Sequence, residues 1–167
     1  EMKSTGSYTN SQGLVLCRKQ IAKFIENRDG FATDINSIFL TDGASSGVKQ
    51  MISFLLKGPS DAVMCPIPQY PLYSATLTLL NGTFVGYHLN EEDGWALDVT
   101  QLEKIWDEYQ GKIVALVIIN PGNPTGQCLD LETIRDIVKF CDERNIVILA
   151  DEVYQENVYS TIPFTSF

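Results

Sequence analysis

Residues 113–119 read IVALVII, with no polar side chain anywhere in the run. A continuous β-branched stretch is stable as a strand only where both faces are covered, as in a parallel sheet between layers of helices. Residues 146–150, IVILA, repeat the pattern and end at Asp151. Between the two runs, Ile134, Ile137, Val138 and Cys141 recur at helical spacing. Strand, helix and strand in this order predict an α/β unit with parallel strands.

The alternation extends toward the N-terminus. Leu14, Cys17, Ile21, Phe24 and Ile25 make a helical stripe that Asp29-Gly30 stops. Residues 37–41 are strand-like. Val48, Met51, Ile52, Leu55 and Leu56 follow the spacing of a helix with one buried face, ended by Gly58-Pro59. Residues 61–65 predict a short buried strand, and Pro66, Pro68 and Pro71 predict a loop after it. Residues 73–80 read as helix and 83–89 as strand. Asp98 is placed to cap a helix carrying Leu102, Ile105, Trp106 and Tyr109. The predicted fold is α/β, a mostly parallel sheet with flanking helices, with residues 1–167 forming one domain without repeat or linker.

Hydrophobic residues make up 44% of the 167, enough to build a packed core. The net charge of -9 argues against nucleic acid as a partner, because a phosphate backbone is repelled. A small anion is still admissible where a helix N-terminus meets it. No apolar run approaches the roughly 18 residues of a membrane span. Cys17, Cys65, Cys128 and Cys141 have no zinc or CxxC spacing, which predicts reduced thiols and no metal site. His88, the one histidine, lies in a strand-like segment, and Trp95 and Trp106 read as packing residues.

Polar clusters fall after strands, where ligands bind in parallel sheets. Gly43-Ala44-Ser45-Ser46-Gly47 opens a helix with small residues, suited either to an anion or to an ordinary helix start. Asn120-Pro121-Gly122-Asn123-Pro124-Thr125-Gly126 fixes an unusual backbone path and holds an amide in place, or is a plain proline-rich turn. Asp151-Glu152-Val153-Tyr154 sets a carboxylate in a partly desolvated position where it needs a partner, or caps a helix. Tyr70 stands in a proline-stiffened loop, suited to stacking on a flat ring or to covering core.

Together, NPGNPTG at 120–126 and ADEVYQ at 150–155 resemble the fold-type I, class I/II pyridoxal-phosphate-dependent aminotransferases. Residues 6–30, LTDGASSGV at 40–48 and CPIPQYPLYSA at 65–75 resemble the alanine aminotransferase branch. The resemblance covers essentially the whole chain in collinear order. It implies pyridoxal 5'-phosphate as cofactor and transfer of an amino group from L-alanine to 2-oxoglutarate. It also implies a homodimer; the compartment expected, in keeping with reduced cysteines, is cytoplasmic or mitochondrial. Aromatic-type transamination, a lyase reaction of the aminocyclopropane-carboxylate synthase kind, and a truncated domain that binds cofactor without catalysis are the alternatives.

The resemblance also assigns roles. Ala44 and Ser45 match the turn that holds the cofactor phosphate. Tyr70 matches the aromatic residue stacked on the pyridine ring. Asn123 and Tyr154 match donors to the ring's phenolic oxygen, and Asp151 matches the partner of the protonated ring nitrogen. Tyr8, in Tyr-x-x-Ser-x-Gly, matches a tyrosine that reaches the phosphate of a neighbouring subunit. The family's Schiff-base lysine follows the DEVY motif, whereas the last lysine here is Lys139. The expectation is therefore a fragment of the large domain, without its C-terminal part or the small domain, and inactive alone.

Overall fold

The computed structural model describes residues 8–109, 111–159 and 161–167. The chain divides into two compact units, Glu1–Gly43 and Ala44–Phe167.

In the first unit, helix α1 (Val15–Asp29) ends on Gly30 in the left-handed conformation, as the Asp-Gly stop predicts. Arg18 is buried on this helix, and its Nη1 donates to Gln12 Oε1 at 3.2 Å and to the Ile35 carbonyl at 2.9 Å. The strand expected over 37–41 does not form. A 3-10 turn, Ile35–Ser37, is followed by extended backbone. Extended residues become a strand only beside a partner strand; the Leu40 N–H donates to the Gln12 carbonyl at 2.9 Å, but among the described residues no strand pairs with them.

The second unit contains α2 (Gly43–Leu55, all but its first residue), β1 (Ala62–Ile67), α3 (Leu72–Leu79) and β2 (Thr83–His88). These are followed by α4 (Val99–Tyr109), β3 (Ile113–Ile119), α5 (Leu131–Arg144) and β4 (Val147–Asp151). The strands lie in the order β2-β1-β3-β4, all parallel. Helix α4 begins after Asp98, whose Oδ1 accepts the Thr100 N–H at 2.9 Å, as the sequence predicts. Trp106 packs against the core, while His88 and Lys49 are exposed.

The apolar run of β3 is covered on both sides. One layer joins Leu116 and Ile118 to Leu102, Ile134 and Ile137 of α4 and α5. The other joins Ala115 and Val117 to Ile52 of α2 and to Tyr73 and Leu77 of α3. Strict alternation would place Ile113 in the second layer, but it lies in the first. The register with β1 jumps from Ala62↔Ile113 to Val63↔Ala115, so one extra residue, Val114, reverses the facing.

Strand β1 runs on through Pro66, where a loop was expected. The Ala62 N–H points toward β3, bonding the Lys112 carbonyl at 2.8 Å, and alternation directs position 66 to the same side. Pairing of β1 with β3 ends at Met64↔Leu116, so proline's missing N–H removes no ladder bond there. The Tyr87 hydroxyl donates to the Val117 carbonyl at 2.7 Å, in the stretch of β3 that β1 no longer reaches.

Among the described residues, no helix is long and apolar enough to cross a membrane. Nor do the four cysteines form a disulfide; burial pushes the Cys141 thiol up to about 12.

Candidate functional site

The chain leaves β1 through α3 on one face of the sheet and leaves β3 through α5 on the other. Neighbouring strands whose connections part in this way open a crevice at their carboxyl ends. A cleft of about 360 Å³ lies there, within the range of small-molecule sites. Ala44, Ser45, Tyr70, Asn123, Asp151 and Tyr154 all line it, so the fold brings together six of the seven residues singled out from the sequence. The seventh, Tyr8, belongs to the first unit, where its side chain is exposed.

Each wall of the cleft has a local cause. Gly43 turns into α2 at φ 73°, a conformation glycine adopts without strain, so the helix opens on Ala44 and Ser45. The first turn of an α-helix leaves N–H groups without intrahelical acceptors, which makes this wall electropositive. Tyr70 sits between Pro68 and Pro71 and is 47% exposed. A bulky side chain held half in solvent by a stiff loop offers a flat surface at little entropic cost.

Asn123 is carried by the loop after β3, pinned by Asn120. Asn120 is fully buried; its N–H donates to the Asp151 carbonyl at 2.9 Å, its Oδ1 accepts the Leu129 N–H at 3.0 Å, and its Nδ2 donates to the Thr165 carbonyl at 3.3 Å. The loop closes with Gly122 N–H on the Gln127 carbonyl and Gly126 N–H on the Gly122 carbonyl, both at 2.9 Å. A Cβ at Gly122 would collide with the Gln127 and Thr125 side chains, which are themselves hydrogen-bonded, so glycine is required by close approach.

Asp151 is the last residue of β4, in register with Ile119. Its Oδ2 accepts the Tyr73 hydroxyl at 2.5 Å and its Oδ1 accepts the Val153 N–H at 3.2 Å. Tyr154 follows in a turn closed by Gln155 N–H on the Glu152 carbonyl at 3.0 Å. The Glu152 carboxylate takes the Ser166 hydroxyl at 2.7 Å and the Phe167 N–H at 2.9 Å. The carboxylate expected to need a partner thus has one, in a residue the sequence reading passed over as an ordinary helix position. The available signal was the hydroxyl itself, since a buried tyrosine needs an acceptor. Nor does the 120–126 motif single out Asn120, whose role as the pin of its loop depends on contacts with Leu129, Asp151 and Thr165.

An electropositive helix end, an exposed aromatic face, an amide, a phenol and a carboxylate surround one cleft. Such walls suit a flat heteroaromatic ligand with an anionic tail and a protonated nitrogen. Comparison with known proteins points the same way. The family model described as "Aminotransferase class I and II" matches residues 1–166. A probable mitochondrial alanine aminotransferase of Dictyostelium discoideum is 57% identical over 98% of the chain and 32% of its own length. Glutamate–glyoxylate aminotransferase 2 of Arabidopsis thaliana is 50% identical over 92% of the chain and 33% of its own length. The solved alanine aminotransferase of Pyrococcus furiosus superposes with a TM-score of 0.86 at 27% identity, over 95% of the chain and 39% of that structure. The chain spans about a third of the length of these curated relatives. Motifs, fold and cleft agree with these matches, and the chain belongs to the class I and II aminotransferases.

Proposed function

We propose that this chain is part of the large, cofactor-binding domain of an aminotransferase that moves an amino group from L-alanine to 2-oxoglutarate with pyridoxal phosphate. The observation that carries the reading is the convergence of Ala44, Ser45, Tyr70, Asn123, Asp151 and Tyr154 on one cleft. Their chemistry fits the cofactor. The α2 N-terminus with the Ser45 hydroxyl would hold the phosphate. Tyr70 would stack on the ring, and Asn123 and Tyr154 would donate to its phenolic oxygen. Asp151 would keep a proton on the ring nitrogen by stabilising the charged form.

Bound there, pyridoxal phosphate supplies an electron sink that accepts charge developing on the amino acid. The protein's part is to aim and to neutralise. An oriented carboxylate in a partly desolvated cleft acts more strongly than one in water and needs no reorganisation during reaction. The preference for alanine is supported by relatives named for it; the relative named for glutamate and glyoxylate marks glutamate as a second donor to test. A cytoplasmic or mitochondrial compartment and a homodimer, with Tyr8 reaching the partner's phosphate, complete the proposal.

The test uses the protein expressed from its natural reading frame and loaded with pyridoxal phosphate. L-Alanine alone is expected to shift the absorbance to that of the cofactor's amine form, with pyruvate released in equal amount. No shift with alanine, but one with an aromatic amino acid, contradicts the substrate assignment.

A further inference from the structure

Tyr73 lies at the start of α3 and is fully buried in the apolar layer between that helix and the sheet. Its hydroxyl leaves this layer at one point, to donate to Asp151 Oδ2 at 2.5 Å. Asp151 Oδ1 takes the Val153 N–H at 3.2 Å, so both oxygens have a donor and the plane of the carboxylate is fixed. The titratable groups around the phenol are Asp151 from β4, Cys65 from β1 and Tyr87 from β2. Burial first, and the bond to Asp151 second, hold the phenol well above its usual range, so it stays a donor at any working pH.

We infer that Tyr73 is a positioning residue for Asp151, its hydroxyl aiming the carboxylate at the ring nitrogen of the cofactor. This rests on the reading that the cleft holds pyridoxal phosphate. Packing alone does not explain the hydroxyl, because a buried O–H is costly without an acceptor and phenylalanine would fill the same layer. Without the hydroxyl, water replaces the donor at the half-buried Asp151 but does not direct it. The carboxylate then samples orientations that no longer face the ring, and pre-organisation is lost.

The experiment follows the NMR shift of an isotopically labelled ring nitrogen against pH in the loaded protein from its natural reading frame. Wild type, Tyr73→Phe, Asp151→Asn and the double variant are compared. In Tyr73→Phe the midpoint for loss of the nitrogen's proton falls by about one pH unit, a tenfold change, the part of the carboxylate's attraction that depends on its being aimed at the nitrogen. Asp151→Asn lowers it further, and in that background removal of the Tyr73 hydroxyl changes nothing. A Tyr73→Phe titration that overlays wild type overturns the inference. So does an equal shift in the Asp151→Asn background.

Should Tyr73→Phe not fold, the coupling is read in the unmutated protein. The Tyr73 hydroxyl proton is expected to move when the cofactor is exchanged for an analogue with carbon in place of the ring nitrogen, and an unmoved resonance overturns the inference. A bound cofactor whose nitrogen depends on Asp151 but not on Tyr73 removes this inference alone. A wild-type protein that binds no cofactor removes the underlying reading with it.

Discussion

A carboxylate at the end of an apolar strand is costly unless something nearby bonds it. Asp151 has two such groups, Tyr73 and the Val153 N–H, and it faces a third position that a ligand would fill. Tyr70 faces the same cleft with no need to serve the core. Tyr70→Ala is therefore expected to loosen pyridoxal phosphate by roughly 1–2 kcal/mol, the size of a lost stacking contact, while the unfolding midpoint barely moves. Fluorescence titration with the cofactor checks the first and urea denaturation the second. The six cleft residues were legible in the sequence because each follows a strand or opens a helix, within a few positions of a Gly, Pro or apolar-run signal. Tyr73 was not, because its partner stands 78 residues away and no local pattern encodes a contact at that separation.

At the scale of elements, periodicity identified the α-helices and the four strands of the second unit among the described residues to within a few residues. It erred where neighbours decide the outcome. Residues 37–41 have strand composition but no partner strand among the described residues. Pro66 is tolerated in β1 because β3 has already departed on its N–H side. The extra residue at Val114 follows from inter-strand register, which no single strand's sequence specifies.

Caps, in contrast, are local. Asp130 caps α5 by accepting the Thr133 N–H at 2.7 Å, and that backbone bond is the main reason its carboxyl is held below the usual range. A carboxyl lowered in the folded state stabilises it above the unfolded-state pKa, and that contribution is lost as pH falls through the folded value. Asp130→Ala is thus expected to cost about 1 kcal/mol at neutral pH. The gap to wild type begins to narrow as pH falls to about 4, the ordinary carboxylate value, and closes below the lower folded value, where the cap itself is protonated. Urea denaturation of both proteins across that window measures it; a gap independent of pH contradicts the role.

For the whole molecule, the site is a consequence of topology. One parallel sheet is wound in both directions from the β1–β3 boundary, and the loops after β1, β3 and β4 meet the start of α2 above that boundary. No residue in those loops forms the cleft alone. On the proposed function, pyridoxal phosphate sits where these loops converge. Hydrogen exchange of the protein from its natural reading frame, with and without the cofactor, tests it most directly. Protection is expected at the start of α2, around Tyr70, across residues 120–126 and at residues 151–154. Protection confined to other segments, or none at saturating cofactor, would contradict it.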